Sequence, residues 1–281
     1  MSKILLTGST GFVGKNLLPK LINLGYDVIQ LSSKDGDIVK EETWINLPQT
    51  EIVIHLASKT SVPESWTKSY DYINCNLMGT VNALNYCKQH NSKLIFISSY
   101  LYGNPDQLPI NENASLKPTN PYALSKLLSE QACEYYSKSE NIKIVILRPF
   151  NIFGPGQSDN YLIQFIISQL ETINIIKVKD LIPKRDYIYI DDFTDAIVKS
   201  LTLNSNFNIF NIGSGQSYSV KEVIDIIQNL LNTDASVESE NERRKNEIMD
   251  TIADISLANK TLNWSPKTSF IEGIQNILNK H

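Results

Sequence analysis

Short apolar runs alternate along this chain with stretches in which apolar residues return every three or four positions. Lys3-Ile4-Leu5-Leu6 leads into Thr7-Gly8-Ser9-Thr10-Gly11-Phe12-Val13-Gly14. Leu17, Leu18, Leu21 and Ile22 then recur at helical spacing, and Gly25 closes the segment. Asp27-Val28-Ile29-Gln30-Leu31 reads as the next strand, and Glu51-Ile52-Val53-Ile54-His55-Leu56-Ala57 as another. A helix is predicted from Asn76, with Leu77, Val81, Leu84 and Cys87 on one side. Leu94-Ile95-Phe96-Ile97 is a buried strand, and Tyr122 opens a helix carrying Leu124, Leu127, Leu128 and Tyr135 at its period. Ile144-Val145-Ile146-Leu147 is a strand stopped by Arg148-Pro149. Strands and helices in alternation predict an α/β fold, a doubly wound, mostly parallel sheet of Rossmann type.

The second half is less regular. Residues 152–159 read as a loop, 175–178 as an apolar run, and Asp191-Asp192 as the cap of a helix reaching about Ser200. Phe207 to Ile212 is a strand. Gly213-Ser214-Gly215 leads to Ser219-Val220-Lys221-Glu222, the pattern of a capping box, ahead of a helix with Val223, Ile224, Ile227 and Leu230. Phe270, Ile271, Ile274, Ile277 and Leu278 mark a last amphipathic helix. With neither a repeat nor a flexible linker, a smaller α/β domain must be interleaved with the first. The expected division is 1–152, with 187–212 returning to it, against 153–186 and 213–281.

Composition narrows the class. Of 281 residues 42% are hydrophobic and 20% charged, with a net charge of −4, which offers no footprint for nucleic acid or anionic membrane. No apolar run approaches the about 20 residues of a membrane span. The N-terminus runs straight into the glycine motif, so a cytoplasmic protein without signal peptide is expected. Cys75, Cys87 and Cys133 lack metal-ligand spacing and read as reduced packing residues, so no metal is expected.

A strand, a glycine-rich turn, a helix and a second strand open a dinucleotide-binding unit, its glycines letting phosphates approach the helix N-terminus. Tyr122 and Lys126 are four residues apart, hence on one helix face. A cation beside a phenol favours the phenolate and lowers its pKa. Ser98 or Ser99, at the carboxyl end of the Leu94–Ile97 strand, would hold a substrate oxygen against Tyr122. Such a constellation moves a proton at a carbon whose hydride goes to a dinucleotide. His55, inside an apolar run, reads as structural.

Taken in order, several motifs resemble the extended short-chain dehydrogenase/reductases, also called NAD-dependent epimerase/dehydratases. They are Thr7-Gly-x-x-Gly11-x-x-Gly14, Asp37-Ile38, His55-Leu-Ala57, Asn76-x-x-Gly-Thr80, Ser98-Ser-Tyr-Leu-Tyr-Gly103 and Tyr122-x-x-x-Lys126, followed by Arg148-Pro-Phe-Asn151, Gly154-Pro-Gly-Gln157, Arg185-Asp-Tyr-Ile-Tyr-Ile-Asp191, Asn211-Ile-Gly213, Arg244-Lys-Asn-Glu247 and Ala253-Asp-Ile. The resemblance spans nearly the whole chain. It implies that Gly8, Thr10, Gly11, Phe12, Val13 and Gly14 face the dinucleotide phosphates and that Asp37 and Ile38 flank its adenine. Leu56, Ala57, Ser58, Asn76 and Pro149 would line the rest of the cofactor site. Tyr122 would be the acid/base, Lys126 would hold the nicotinamide ribose, and Ser99, preferred to Ser98, would polarise the substrate oxygen. Asn151, Arg185 and Arg244 would contact the diphosphate of a nucleotide sugar, with Ser98, Ser99 and Tyr100 near the sugar; a solvated charge run is the competing reading of Arg244. By analogy with relatives, the helices near Asn76 and Tyr122 would form a homodimer interface.

Sugar dehydratases and decarboxylases of this family carry an acid just after the catalytic hydroxyl, where this chain has Tyr100-Leu101. That leaves 4-ketoreductases and 4-epimerases. Ser32 and Lys34 after the second strand suit the 2′-phosphate of NADP(H), and Asp35 keeps NAD(H) open. With residues 148–157 resembling GDP-4-keto-6-deoxymannose reductases, a 4-ketoreductase of an NDP-4-keto-6-deoxyhexose is expected ahead of an NDP-sugar 4-epimerase with retained NAD. A non-catalytic dinucleotide sensor is the remote alternative, disfavoured by the presence of both Tyr122 and Lys126.

Overall fold

The computed structural model describes residues 2–173, 175–242 and 247–279. Arg244 lies outside the described residues. Strand β1 (Lys3–Thr7) is followed by α1 (Phe12–Asn23), β2 (Asp27–Leu31), the short α2 (Glu42–Ile45) and β3 (Ile52–His55). Next come α3 (Val62–Thr67) and α4 (Ser69–Ile73), which runs through a π-helical turn at Asn74–Met78 into α5 (Gly79–His90). Strand β4 (Lys93–Ile97), the 20-residue α6 (Pro121–Glu140) and β5 (Ile144–Pro149) complete the first half. Then come β6 (Asn151–Phe153), α7 (Leu162–Thr172), β7 (Ile175–Val178), β8 (Lys184–Tyr189), α8 (Ile190–Leu201) and β9 (Phe207–Ile212). The chain finishes with β10 (Ser217–Ser219), α9 (Val220–Leu231), β11 (Ser236–Ser239), α10 (Ser256–Leu262) and α11 (Phe270–Leu278).

Six strands form one parallel sheet in the order β2-β1-β3-β4-β5-β9, the doubly wound arrangement expected. Its chain order reverses at β1 and β3, the place where such sheets open a ligand crevice beyond their carboxyl ends. Both faces are covered, so the strands read as unbroken apolar runs. Ile4, Leu6, Ile54, Ile95 and Val145 pack with α1, α8 and Trp264 on one face. Leu5, Val53, Leu94, Phe96 and Ile144 pack with Leu84, Cys87 and Cys133 of α5 and α6 on the other. Lys93 joins the layers by donating from Nζ to the carbonyls of Ser200, Leu201 and Leu203 at the end of α8. A second core gathers α7, α9 and α11 against the small sheet β10-β8-β6.

Three expectations need correction. The helix placed from Asn76 begins at Ser69, and the wide turn at Asn74–Met78 resets its phase. Thr80, Ala83, Leu84 and Cys87 are buried, while Leu77 and Val81 are only half-buried. Asp191 and Asp192 lie inside the first turn of α8 behind Tyr189; the Asp192 carboxylate instead accepts the N–H groups of Lys267 and Thr268. Ile152 and Phe153, expected in a loop, belong to β6 (Asn151–Phe153), a strand parallel to β8. The capping box at Ser219 and Glu222 is present, and Ser269 with Glu272 forms a second. All three cysteines are free thiols, Cys87 and Cys133 buried and Cys75 half-buried. Among the described residues no helix is long and apolar enough to cross a membrane, and no cluster of candidate ligands could hold a metal.

A buried carboxylate joins distant segments. Asp186 Oδ1 accepts from the N–H and hydroxyl of Ser214 (2.7 and 2.8 Å), and Oδ2 from the N–H groups of Gly215 and Ala253 (both 3.0 Å). A Cβ at Gly213 would stand 2.7 Å from Asp186 Oδ2 and 2.5 Å from Ala253 Cβ, so only glycine fits there.

Candidate active site

The glycine turn after β1 is built for close approach of a phosphate. Gly8 has φ of +70°, and a Cβ there would lie 2.8 Å from the Ala57 nitrogen; one on Gly14 would lie 2.4 Å from the Gly8 carbonyl. Gly11 caps α1 without any side-chain hydrogen bond, leaving the helix's first N–H groups to an outside acceptor. Ser9 Oγ is buried there without a partner. Thr10 is exposed, and Phe12 and Val13 pack half-buried in the first turn. These features fit a dinucleotide pyrophosphate.

The carboxyl ends of neighbouring strands bring the other expected residues alongside. Leu56, Ala57 and Ser58 follow β3, Ser98 and Ser99 follow β4, and Pro149 ends β5. Ile38 is 8% exposed and lies against Gly79, where a Cβ would stand 2.5 Å from its Cδ1. Asp37 Oδ1 accepts the Val39 N–H. Asn76 is buried, and its amide is fully engaged: it accepts from the Lys59 N–H and donates to the Lys59 carbonyl and Ser125 Oγ. Its part is to pin the segment after β3 to α6. At the end of β2, Ser32 and Lys34 surround Asp35, whose carboxylate accepts the N–H and hydroxyl of Ser32.

Asn120 caps α6 by accepting the Ala123 N–H, with Pro121 at the first helical position, so the helix starts just before Tyr122. The Ser99 hydroxyl sits beside the Tyr122 phenol and acts to lower its pKa, and the Tyr72 ring meets the phenol edge-on at 6.5 Å. Ser98 is 2% exposed, with its hydroxyl unpartnered. Of the two serines, Ser99 is the one beside the phenol. Lys126 is buried, and its Nζ donates to the Ile97 carbonyl (2.8 Å), 5.0 Å from the Phe96 ring centre. Burial pushes Lys126 down to about 8, against Cys75, Glu130 and Cys133, which act to raise it. The expected lowering of Tyr122 is overturned. Burial drives its pKa above the usual phenol value, with Ser99 opposing, because the Lys126 ammonium is directed to Ile97.

Beneath this pair His55 is 1% exposed, its Nδ1 hydrogen-bonded to Thr7 Oγ1 at 2.8 Å. Burial first and the Lys126 charge second lower its pKa to about 3. In the unfolded chain it takes a proton near the ordinary value of about 6.5. The unfolded state therefore binds the extra proton, and stability falls as pH drops below about 6.5, by up to about 1.4 kcal/mol per pH unit. Urea unfolding between pH 7 and pH 4.5 should show that fall, and His55→Gln should lose about one proton's worth of the slope. Equal slopes in both proteins would refute the assignment.

Toward the second core, Tyr100 stacks on Phe150 (5.1 Å) and its hydroxyl donates to Asn151 Oδ1, while Asn151 Nδ2 donates to the Asp186 carbonyl. Arg185 is not a free fork: it donates to the carbonyls of Lys184 and Ile248 and pairs with Glu247. Burial works against its charge, but Tyr100, Glu247 and Tyr187 raise its pKa above the ordinary value. Tyr161, which no motif signals, hydrogen-bonds Thr60 (3.2 Å) and is an electrostatic neighbour of Tyr122. Only the filled geometry could have found it.

The model of the NAD dependent epimerase/dehydratase family matches residues 4–213. The chain belongs to that family. It is 30% identical to a putative UDP-glucose 4-epimerase of Methanocaldococcus jannaschii, covering 98% of this chain and 97% of the relative. It is 29% identical to the GDP-6-deoxy-D-mannose reductase of Pseudomonas aeruginosa, covering 98% and 96%. The solved structure of TunA, an NAD dependent NDP-hexosamine 5,6-dehydratase of tunicamycin biosynthesis, superposes with a TM-score of 0.89 at 31% identity, covering 99% and 97%. An epimerase, a reductase and a dehydratase stand equally near this family member, so overall identity does not choose among reactions.

Proposed function

We propose that the chain exchanges hydride at C4 of a nucleotide-diphosphate sugar. The observation that carries this reading is the Tyr122 phenol beside the Ser99 hydroxyl at the carboxyl end of the parallel sheet, one helical turn from the buried Lys126. Tyr122 gives a proton to the oxygen on C4, or takes one from it, and Ser99 hydrogen-bonds that oxygen as its charge develops. Lys126 is assigned to the nicotinamide ribose, its Nζ anchored on the Ile97 carbonyl. Gly8, Gly11 and Gly14 cradle the phosphates of the dinucleotide, which when bound supplies or accepts the hydride. The second core, 153–186 and 213–281, holds the nucleotide half of the substrate. Arg185 meets the diphosphate with Glu247 fixing its orientation, and Asn151 and Arg244 are assigned beside it. Elimination is disfavoured because Ser99 is followed by Tyr100 and Leu101, where the family's dehydratases resemble one another in carrying an acid.

Reduction of a 4-keto-6-deoxy sugar is the reading supported by residues 148–157. A second reading, 4-epimerisation with retained NAD, is supported by the Asp35 carboxylate at the end of β2. The test is to offer the protein GDP- and dTDP-4-keto-6-deoxyhexoses with NADPH or NADH, and separately UDP-glucose with no added cofactor. Consumption of reduced dinucleotide with a keto sugar identifies the reductase; formation of UDP-galactose identifies the epimerase. Release of water from a hexose substrate would overturn both.

A further inference from the structure

Tyr161 stands at the start of α7, yet its side chain takes no part in capping that helix. Its backbone is fixed all the same. The N–H donates to the Ser158 carbonyl at 3.1 Å, and the carbonyl accepts the Phe165 N–H at 2.9 Å. The next residues, Leu162 and Ile163, pack into the second core. The phenol reaches out from that core and shares a hydrogen bond with Thr60 Oγ1 at 3.2 Å, across 101 positions of sequence.

Thr60 belongs to the segment after β3, and that segment leads to the reacting centre. The Asn76 side chain clasps the neighbouring Lys59 twice, accepting its N–H at 2.8 Å and donating to its carbonyl at 3.0 Å. The same amide donates to Ser125 Oγ at 2.8 Å, and Ser125 Oγ donates to the Tyr122 carbonyl at 2.7 Å. Asn76 and Ser125 are buried, which shields the inner links from water. A short relay therefore runs from α7 through Thr60, Lys59, Asn76 and Ser125 to the backbone of Tyr122. Its outermost link, Thr60 to Tyr161, lies in solvent, where both residues are exposed. Tyr161 is also close enough to act on the charge of the Tyr122 phenol.

We propose that Tyr161 is a positioning residue for the hydride step: through Thr60 it holds the second core in register with the segment on which Tyr122 rests. This rests on the reading of Tyr122 and of the second core given above. Under that reading the glycine turn holds the dinucleotide and the second core holds the substrate's nucleotide. Each binds to one side of the relay, so neither affinity depends on the bond between Thr60 and Tyr161. The chemical step does depend on it, because the sugar comes from one side and Tyr122 from the other, and they must meet at a fixed separation.

The experiment measures a single-turnover rate and a steady-state KM. Nicotinamide absorbance follows the reaction for a GDP- or dTDP-4-keto-6-deoxyhexose with reduced dinucleotide, and UDP-galactose formed follows it for UDP-glucose. Tyr161→Phe keeps the ring and loses only the hydroxyl. It should slow the single turnover about fivefold, the scale of one neutral hydrogen bond, with KM and dinucleotide affinity within about twofold. Thr60→Val should slow it equally, the two together no more than either alone, and Thr60→Ser should recover most of the rate. A rate unchanged in Tyr161→Phe, a loss carried by KM instead, or losses that multiply in the double variant would each overturn the assignment. Failure of the unaltered protein to turn over any of these sugars would instead bring down the reading of Tyr122, and this one with it.

Discussion

Tyr122→Phe lowers kcat by about a thousandfold, the size expected for loss of a general acid and base, and leaves dinucleotide affinity within about twofold although Tyr122 is also among the residues expected at the cofactor. The variant removes one oxygen and keeps the ring that meets Tyr72 edge-on, so the fold has little to lose. Without the phenol, Ser99 can still hydrogen-bond the reacting oxygen, but nothing at that place can pass it a proton. Calorimetric titration with the dinucleotide, paired with turnover on whichever nucleotide sugar the assays above find to react, checks both halves. A variant that turns over normally, or that no longer binds dinucleotide, refutes the assigned role.

The second large effect is on stability. Arg148 and Glu130 are 2% and 4% exposed, paired through Nε (2.9 Å) and the terminal nitrogen (2.6 Å), with Tyr102 and the Glu112 carbonyl on the remaining arm. Tyr102 donates in turn to Asn211 Oδ1 at 2.6 Å, so β5, α6, β9 and the segment after β4 meet in one dry network. Arg148→Met leaves the Glu130 carboxylate buried and unpaired, and should destabilise the protein by about 3–5 kcal/mol. The double variant Arg148→Met with Glu130→Met removes both charges and should recover most of that loss. Denaturant unfolding of the single and double variants measures both, and equal losses in the two would mean that packing, not charge, governs the site. Because α6 carries Tyr122 and Lys126, the single variant should also lose activity while still folded.

The sheet and the catalytic pair were legible because their signals are local. The apolar runs from β1 to β5 are bounded by glycine, polar turns or Arg148-Pro149, and Tyr122 and Lys126 share one helix whatever surrounds it. Long-range features left no such trace. The widened turn at Asn74–Met78 lets Asn76 reach Lys59 and Ser125, and nothing in its own sequence separates it from an ordinary helix start. Arg185 was expected as a contact to a diphosphate, but it is already paired with Glu247, 62 residues away. Asp192 looked like a cap because acids favour helix starts; its carboxylate serves residues 75 and 76 positions on. The protonation of Tyr122 misled for a related reason: helical spacing gave the pair, while burial and the Ile97 carbonyl decide where the ammonium points.

The Asp186 carboxylate has a consequence for how this chain can change. Its Oδ1 takes the N–H of Ser214 and its Oδ2 those of both Gly215 and Ala253, so the excursion between them starts and finishes at a single point. The entropy of closing such an excursion grows only slowly with its length. Insertions and deletions inside it therefore leave the parallel sheet and the Tyr122 centre where they are. The span from Gly215 to Ala253 can thus vary in length while the sheet and the helix bearing Tyr122 and Lys126 are inherited unaltered.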